Sequence, residues 1–311
     1  MSALPVSTPG PQFRHAAVFY RGLDDMVQRI APFIAEGVAN GEPVLVAELA
    51  DRVEALTEAL GEQSSAVAFL VMAAVGAIPA RIIPAWHAFV DAHPGQAVRG
   101  VGEPAWAGRS REELAECQLH EALLNLAFDD RSDFELLCPY DVEALPGDVV
   151  AGAMRTHPDL GSFARAEDYG GHQHAVAEFR RPLSQPSADA VEISFDSADL
   201  IALRSVVRRL AESARVRAEA AEDLVLAAHE VATNSVLHGP GEGVLRGWQE
   251  PHAVILEVSD LGVVADPLVG REHVSGFAES GRGLWLANQL CDLVQVRSSD
   301  LGTTVRLYAW L

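Results

Sequence analysis

Between Leu23 and Gly41 the apolar residues Met26, Val27, Ile30, Phe33, Ile34 and Val38 recur at spacings of three and four. This is the period of one helical face, and Gly41 closes the run. The segment is preceded by "HAAVFY" and followed by "EPVLVAEL", short apolar runs that predict strands buried on both faces. "DRVEALTEAL" predicts a helix opened by an acidic residue. "PARIIPAWHAFVDAHP" and "SREELAECQLHEALLNLAF" predict two more, the second with Ser110 and Glu113 at capping-box spacing. "FELLCPYD" predicts a strand running into a loop. Strands alternating with helices predict a three-layer α/β domain with a mostly parallel sheet.

The rhythm changes after "RRPLSQPSADA", residues 180–190, where Pro, Ser and Gln gather as in a linker. "VEISFD" alternates as a half-buried strand, and "SADLIALRSVVRRLAESA" is amphipathic at helical period. "AEDLVLAAHEVATNSVLHG" predicts a second helix, with Leu224, Val231 and Leu237 available to face a sheet, ended by Gly239 and Pro240. "GVLRGWQ", "HAVILEVSD" and "TTVRLYAWL" predict strands, and a helix opens at "GRGLWLANQLCD". Helices beside one antiparallel or mixed sheet predict an α+β sandwich. The expected organisation is a flexible N-terminus over 1–12, a first domain over 13–177, a linker over 178–190 and a second domain over 191–311.

Composition narrows the function classes. The net charge of −21 is spread along the chain, so a duplex nucleic acid would be repelled. The longest apolar stretch, "AVAFLVMAAVGAIPARIIPAW", is broken by Gly76, Pro79, Arg81 and Pro84 and predicts no membrane span. "MSALPVSTPGPQ" lacks the basic start and apolar core of a signal peptide, which predicts a cytoplasmic protein. The three cysteines, Cys117, Cys138 and Cys291, form no CxxC pair and read as reduced, buried thiols. The sequence contains no lysine, which excludes a P-loop.

Within "HEVATNSVLHG", Glu230, Asn234 and His238 stand four apart and share one face of an otherwise apolar helix. A carboxylate and an amide oxygen on one face can hold a hard cation such as Mg²⁺ or activate a hydroxyl. "VSDLGV" ends a strand with Asp260 and Gly262, where a carboxylate can accept from an adenine amino group and the glycine admits close backbone approach. "SGRGLWL" sets Gly281 and Gly283 at the mouth of a helix, where free N–H groups suit phosphate. "GTTVRL" places Gly302, Thr303 and Thr304 at the start of the last strand. Each stretch alone is an ordinary polar stripe or turn; the four together, in this order, are not expected by chance.

In these stretches residues 191–311 resemble the N, G1, G2 and G3 boxes of the GHKL (Bergerat-fold) ATPase superfamily, and within it the anti-sigma factor serine kinases. The resemblance implies Glu230 as catalytic base, Asn234 as Mg²⁺ ligand, Asp260 with Gly262 at adenine, and Gly281, Arg282, Gly283 and Thr304 at the phosphates of ATP. It implies as partners a small antagonist protein phosphorylated on serine, a sigma factor, or both, and a homodimer as one assembly. Glu279 stands where the best-known members carry a basic residue, and Arg282 is the substitute at hand. The other readings are a non-catalytic, nucleotide-dependent binding module and an orphan sensor histidine kinase. The last is disfavoured, because no histidine lies between His174 and His229. "YGGHQHAV", which holds His172 and His174, reads as a glycine-rich stretch.

Residues 13–170 resemble the MEDS sensory domain, a relative of RecA-like and circadian-clock ATPases, on "RHAAVFYRGLDDMVQRIAPFIAEGVANGEPVLVAEL" and "FELLCPYDVEAL". Without a P-loop the resemblance implies sensing of a small ligand or partner rather than hydrolysis. His15, Glu48, Tyr140 and Asp141 lie near strand ends and are the candidate sensory residues, because open α/β sheets bind ligands there.

Overall fold

The computed structural model describes residues 13–161, 163–272 and 282–311. The chain divides into two compact units, one of Met1–Val75 with Ala85–His172 and the other of Gly76–Pro84 with Gln173–Leu311.

The first unit is built on a seven-stranded sheet. Its strands are β1 (Arg14–Tyr20), β2 (Val44–Glu48), β3 (Val67–Val71), β4 (Val98–Gly102), β5 (Phe134–Asp141), β6 (Asp159–Leu160) and β7 (Ala164–Arg165), in the order β3-β2-β4-β5-β1-β6-β7. Every pair is parallel except the short β6–β7 ladder. The helices are α1 (Gly22–Ala39), α2 (Ala50–Leu60), α3 (Met72–Val75), α4 (Ile82–Asp91), α5 (Arg111–Ala127) and α6 (Gly147–Thr156). The stripe of α1 behaves as its spacing predicts: Met26, Ile30 and Ile34 are buried against Ala16, Val18 and Tyr20 of β1 and Val44 and Val46 of β2. Two features of the sheet are not evident from hydrophobic pattern. β3 lies inside the broken apolar stretch, and β4 reads "VRGVG". In β4, a side chain on Gly100 would lie 2.9 Å from Trp86 of α4, and one on Gly102 2.8 Å from it. The bare backbone leaves room for the indole against the strand. The capping box at the start of α5 is complete, with Ser110 Oγ accepting from Glu113 N–H and the Glu113 carboxylate accepting from Ser110 N–H.

The second unit carries a five-stranded antiparallel sheet of β8 (Val191–Asp196), β9 (Glu242–Glu250), β10 (Ala253–Asp260), β11 (Leu293–Ser299) and β12 (Gly302–Trp310), in the order β11-β12-β10-β9-β8. Helix α9 (Ala218–Leu237) packs on β9, β10 and β12, with α8 (Leu200–Ser213) and α10 (Arg282–Leu290) against it. This is the α+β sandwich expected. Leu224 and Val231 of α9 face inward as predicted, but Leu237 does not: it is the last residue of the helix, and its side chain is 69% exposed. A further helix, α7 (Gly171–Arg180), begins in "YGGHQHAV", where the two glycines hide a helix that buries Ala175 and Phe179 on one face.

The other face of the second sheet is polar. A row crosses it from Glu192 through Arg246 and Glu257 to Arg306, each linked to the next. Arg306 also donates to the carbonyl of Ser184 at 2.7 Å, which seats the segment expected as a linker against this sheet. Arg81, in the segment that clusters with this unit, donates to the carbonyls of Asn288 and Gln289 at 2.7 Å each and completes the C-terminus of α10. Among the described residues no helix is long and apolar enough to cross a membrane.

Candidate functional site

Helix α9 holds Glu230 and Asn234 one turn apart, both half-buried, with His238 at the helix C-cap. Residues four apart stack on successive turns, and the small apolar residues between them bury the opposite side of the helix. Across from this stripe stands the first turn of α10. A side chain on Gly283 would sit 2.9 Å from Asn234 Nδ2 and 3.4 Å from Glu230 Oε2. Glycine at this position lets the start of α10 approach the carboxylate and the amide directly.

Asp260 ends β10 on the same side of the sheet, and its carboxylate is held by two donors. Gly262 N–H donates to Oδ1 at 2.6 Å, and the Ser235 hydroxyl of α9 donates to Oδ2 at 2.6 Å. A side chain on Gly262 would meet Asp260 Oδ1 at 2.8 Å and the backbone of Gly239 at 3.1 Å, so the corner closes only around glycine. Thr303 opposes Asp260 in the β10–β12 ladder, and its hydroxyl donates to the carbonyl of Gly262 at 2.8 Å. Ser298 shares a hydrogen bond with the same hydroxyl and accepts from Val264 N–H at 2.8 Å, which fixes the path of the chain leaving the corner. Further along, Asn288 of α10 donates to the carbonyl of Gly270.

These groups surround a crevice of about 80 Å³ whose lining combines Val231, Val258, Leu284 and Val305 with Asn234, Asp260 and Thr303. Apolar walls with a few fixed polar groups suit a flat heterocycle that must be oriented. A larger cavity of about 800 Å³ lies over the polar face of the sheet, lined by Ser184, Arg246, Glu257 and Thr304 among others. It shares Asp260 and Thr303 with the crevice, but neither Glu230 nor Asn234 lines it.

The structure thus brings Glu230, Asn234, Asp260, Gly262 and Gly283 together. Arg282 opens α10 with its side chain exposed. Thr304 pairs with Ser259 and lines the larger cavity but not the crevice, while its neighbour Thr303 lines both. Gly281 and Glu279, with the rest of residues 273–280, lie outside the described residues. One contributor escapes the sequence reading, Ser235; Thr303 is singled out with Thr304, but the phosphate role goes to Thr304. The signal for Ser235 is its place one residue beyond Asn234, four after the inward-facing Val231.

In the first unit the candidate sensory residues separate. Glu48 ends β2 fully buried beside Glu103, with Arg52 paired to Glu103 and the Tyr20 hydroxyl donating to both Glu103 oxygens. Burial, and then the charge of Glu103, pushes the Glu48 carboxyl well above the usual range. Burial also raises Glu103, to about 7, against the pull of Arg52. His15 lies elsewhere, buried on the opposite face of β1 from the α1 core, with Glu121, Cys138 and His157 around it. Tyr140 sets its ring edge-on to His157 at 5.6 Å. Asp141 caps the following turn, accepting from the N–H groups of Glu143 and Ala144.

Residues 14–158 match the family model of the MEDS domain, described as the methanogen/methylotroph, DcmR sensory domain, and residues 193–309 match that of the histidine kinase-like ATPase domain. No curated protein matches the chain. Among solved structures, the RsbU and RsbW domains of a Mycobacterium tuberculosis protein are similar at 19% identity and a TM-score of 0.31, over 39% of this chain and 32% of that one. The chain therefore spans about a third of the length of that solved chain.

Proposed function

Since the chain joins a MEDS domain at its N-terminus to a histidine kinase-like ATPase domain at its C-terminus, we propose that it is a signalling regulator of the anti-sigma factor serine kinase type. The MEDS unit senses a ligand or partner, and the ATPase unit phosphorylates a serine of a small antagonist protein, binds a sigma factor, or both. The observation that carries the reading is the approach of Gly283 to Asn234 and Glu230. A helix N-terminus, a carboxylate and an amide meet where a side chain would fill the space, and these are the groups that phosphoryl transfer requires.

The residues fit ATP with Mg²⁺. Asp260 is oriented by Ser235 and Gly262, and each carboxylate oxygen keeps a lone pair for an adenine amino group. Asn234 offers an amide oxygen to the cation, and the first N–H groups of α10 offer donors to phosphate. Bound Mg²⁺ would supply neutralisation of phosphate charge. Glu230, one turn from Asn234, is placed to take the proton of a serine hydroxyl, and the rest of the catalysis is positioning.

The test uses ATP labelled on its γ-phosphate, the full chain and candidate antagonist proteins. Asn234→Ala should weaken Mg²⁺-dependent ATP binding. Glu230→Ala should leave binding intact and lower phosphorylation by roughly 10²–10⁴, the usual worth of a general base. ATP binding without transfer in the unaltered chain would replace the kinase reading by a nucleotide-dependent binding module. Small, equal effects of both substitutions on ATP binding would remove the nucleotide site altogether.

A further inference from the structure

His15 of β1, Glu121 of α5, Cys138 of β5 and His157, the residue after α6, come together from four separate elements of the first unit. All four are at most 2% exposed, and one ligand atom from each lies within 4.8 Å of the others. Ala17 and Cys138 are register partners in the β1–β5 ladder, so His15 and Cys138 share the face on which α5 and α6 lie.

The hydrogen bonds around the cluster decide where the imidazole protons sit. Asn125 donates through Nδ2 to the carbonyls of Glu121, Ala122 and Thr156, at 3.2, 3.3 and 2.7 Å. Its Oδ1 must therefore be the atom 3.1 Å from His15 Nδ1, and that nitrogen carries the proton. His157 Nδ1 lies 2.9 Å from the carbonyl of Ala153, which only accepts, and 3.0 Å from the Thr156 hydroxyl, whose own proton goes to the Gly152 and Ala153 carbonyls, so a proton on Nδ1 satisfies both contacts. A ring protonated at Nδ1 alone keeps a lone pair on Nε2. The two Nε2 atoms lie 3.0 and 3.2 Å from the same carboxylate oxygen, Glu121 Oε2. Cys138 Sγ lies 3.3 Å from His15 Nε2. Among the described residues, Glu121 Oε1 and His157 Nε2 are buried without a hydrogen-bond partner.

Lone pairs of two imidazoles, a carboxylate and a sulfur thus converge on one small volume, with the Cys138 thiol proton the one left to share among them. Uncompensated, such a group is costly to bury. We propose that it is a binding site for a tetrahedral divalent transition-metal ion of the Zn²⁺ class. Two imidazoles, a thiolate and a carboxylate are all acceptable to Zn²⁺, and their two negative charges cancel its own. Zinc–ligand bonds of about 2.0–2.3 Å set tetrahedral donors roughly 3.3–3.7 Å apart, against 3.0, 3.2 and 3.3 Å for three pairs here and at most 4.8 Å for the rest. Asn125 and the Ala153 carbonyl occupy the outer positions that orient metal-bound histidines. With four protein ligands the coordination is closed, so the ion serves folding or sensing rather than catalysis. It would tie β1, β5, α5 and the end of α6 into one body, at residues spread across the sequence that matches the sensory family.

The full chain, freed of metal by dialysis against a chelator, is titrated with Co²⁺ and followed by absorption. The expected result is uptake of one equivalent per chain, tetrahedral cobalt bands, and a thiolate-to-cobalt band in the near ultraviolet, all displaced by Zn²⁺. Cys138→Ser should lose the near-ultraviolet band, and Cys117→Ser should keep it. Asn125→Ala should weaken binding by about 10- to 100-fold, as loss of an outer-shell partner does. Zn²⁺ should raise the Tm of the unaltered chain, a readout that needs no variant to fold. No cobalt band and no Zn²⁺-dependent rise in Tm would overturn the proposal, as would a thiolate band that survives Cys138→Ser. The readout reports on the first unit and is independent of the nucleotide reading.

Discussion

Ser235 on α9 holds Asp260 on β10, its hydroxyl donating to Oδ2 at 2.6 Å. The helix that carries Glu230 and Asn234 thereby also sets the orientation of the carboxylate at the sheet edge, and Gly262 N–H completes the hold on Oδ1. Acid, amide and carboxylate are parts of one rigid arrangement rather than three independent contacts.

Ser235→Ala should therefore weaken ATP binding although the residue touches no reacting group. Loss of one oriented hydrogen bond is worth about 1 kcal/mol, roughly five-fold in affinity. Asp260→Asn should cost more, about 1.5–3 kcal/mol, because the amide's NH₂ must face an existing donor, an adenine amino group or both. Calorimetric titration of the unaltered chain and the two variants with ATP checks the order. Three equal affinities would place adenine away from Asp260.

Gly283→Ala isolates the close approach of α10 to α9. Alanine is a better helix former than glycine, so the helix itself should not suffer. Its methyl group would stand 2.9 Å from Asn234 Nδ2 and must push the amide aside. The expected outcome is unchanged helix content by circular dichroism with a loss of Mg²⁺-dependent ATP binding of at least ten-fold. ATP binding at full strength would show that the first turn of α10 plays no part in holding phosphate.

The capping box of α5 gives a prediction on stability alone. Ser110 and Glu113 satisfy each other's backbone N–H groups, and Ser110→Ala removes one half of the exchange. The cost should be about 1 kcal/mol, read as a lower urea midpoint at unchanged slope. A midpoint equal to that of the unaltered chain would mean that water serves the Glu113 N–H as well as the hydroxyl does.

That box was legible because it is local, and so were the stripe of α1, the polar face of α9 and the glycine corners after β10. Each is a pattern within a few residues whose physical meaning does not depend on the rest of the chain. Strand β4 was not, because "VRGVG" has the composition of a turn, and its reason for being a strand is the indole of Trp86 lying on its glycines. The pairing of Arg81 with the end of α10 spans 207 residues and leaves no local trace. His15 was picked out from the start of a strand, but Glu121, Cys138 and His157 are 106 or more residues from it, and their lone pairs meet only once the sheet is closed. Glu48 and His15 read alike in sequence, as polar residues at strand ends. They fall in different places because Glu48 ends its strand and His15 begins one.

The separation leaves Glu48 and Glu103 as a buried carboxyl pair with its own pH signature. Both are held above the usual carboxyl value of 4.5, Glu103 at about 7 and Glu48 well above the ordinary range, burial being the largest cause for each. As pH rises past 4.5, the unfolded chain releases these protons while the folded chain keeps them. The folded state then binds more protons than the unfolded one, so stability is fully present below about 4.5 and declines as pH climbs toward 7 and beyond. Each retained proton steepens the decline by about 1.4 kcal/mol per pH unit within its window. Glu48→Gln removes one titrating group and leaves an amide able to donate to Glu103. Urea unfolding of the full chain at pH 5 and pH 7.5 should show a smaller loss of stability for the variant than for the unaltered protein. Parallel losses in the two proteins would mean that Glu48 is ionised in the folded state, with Arg52, 3.8 Å away, balancing both carboxylates at once.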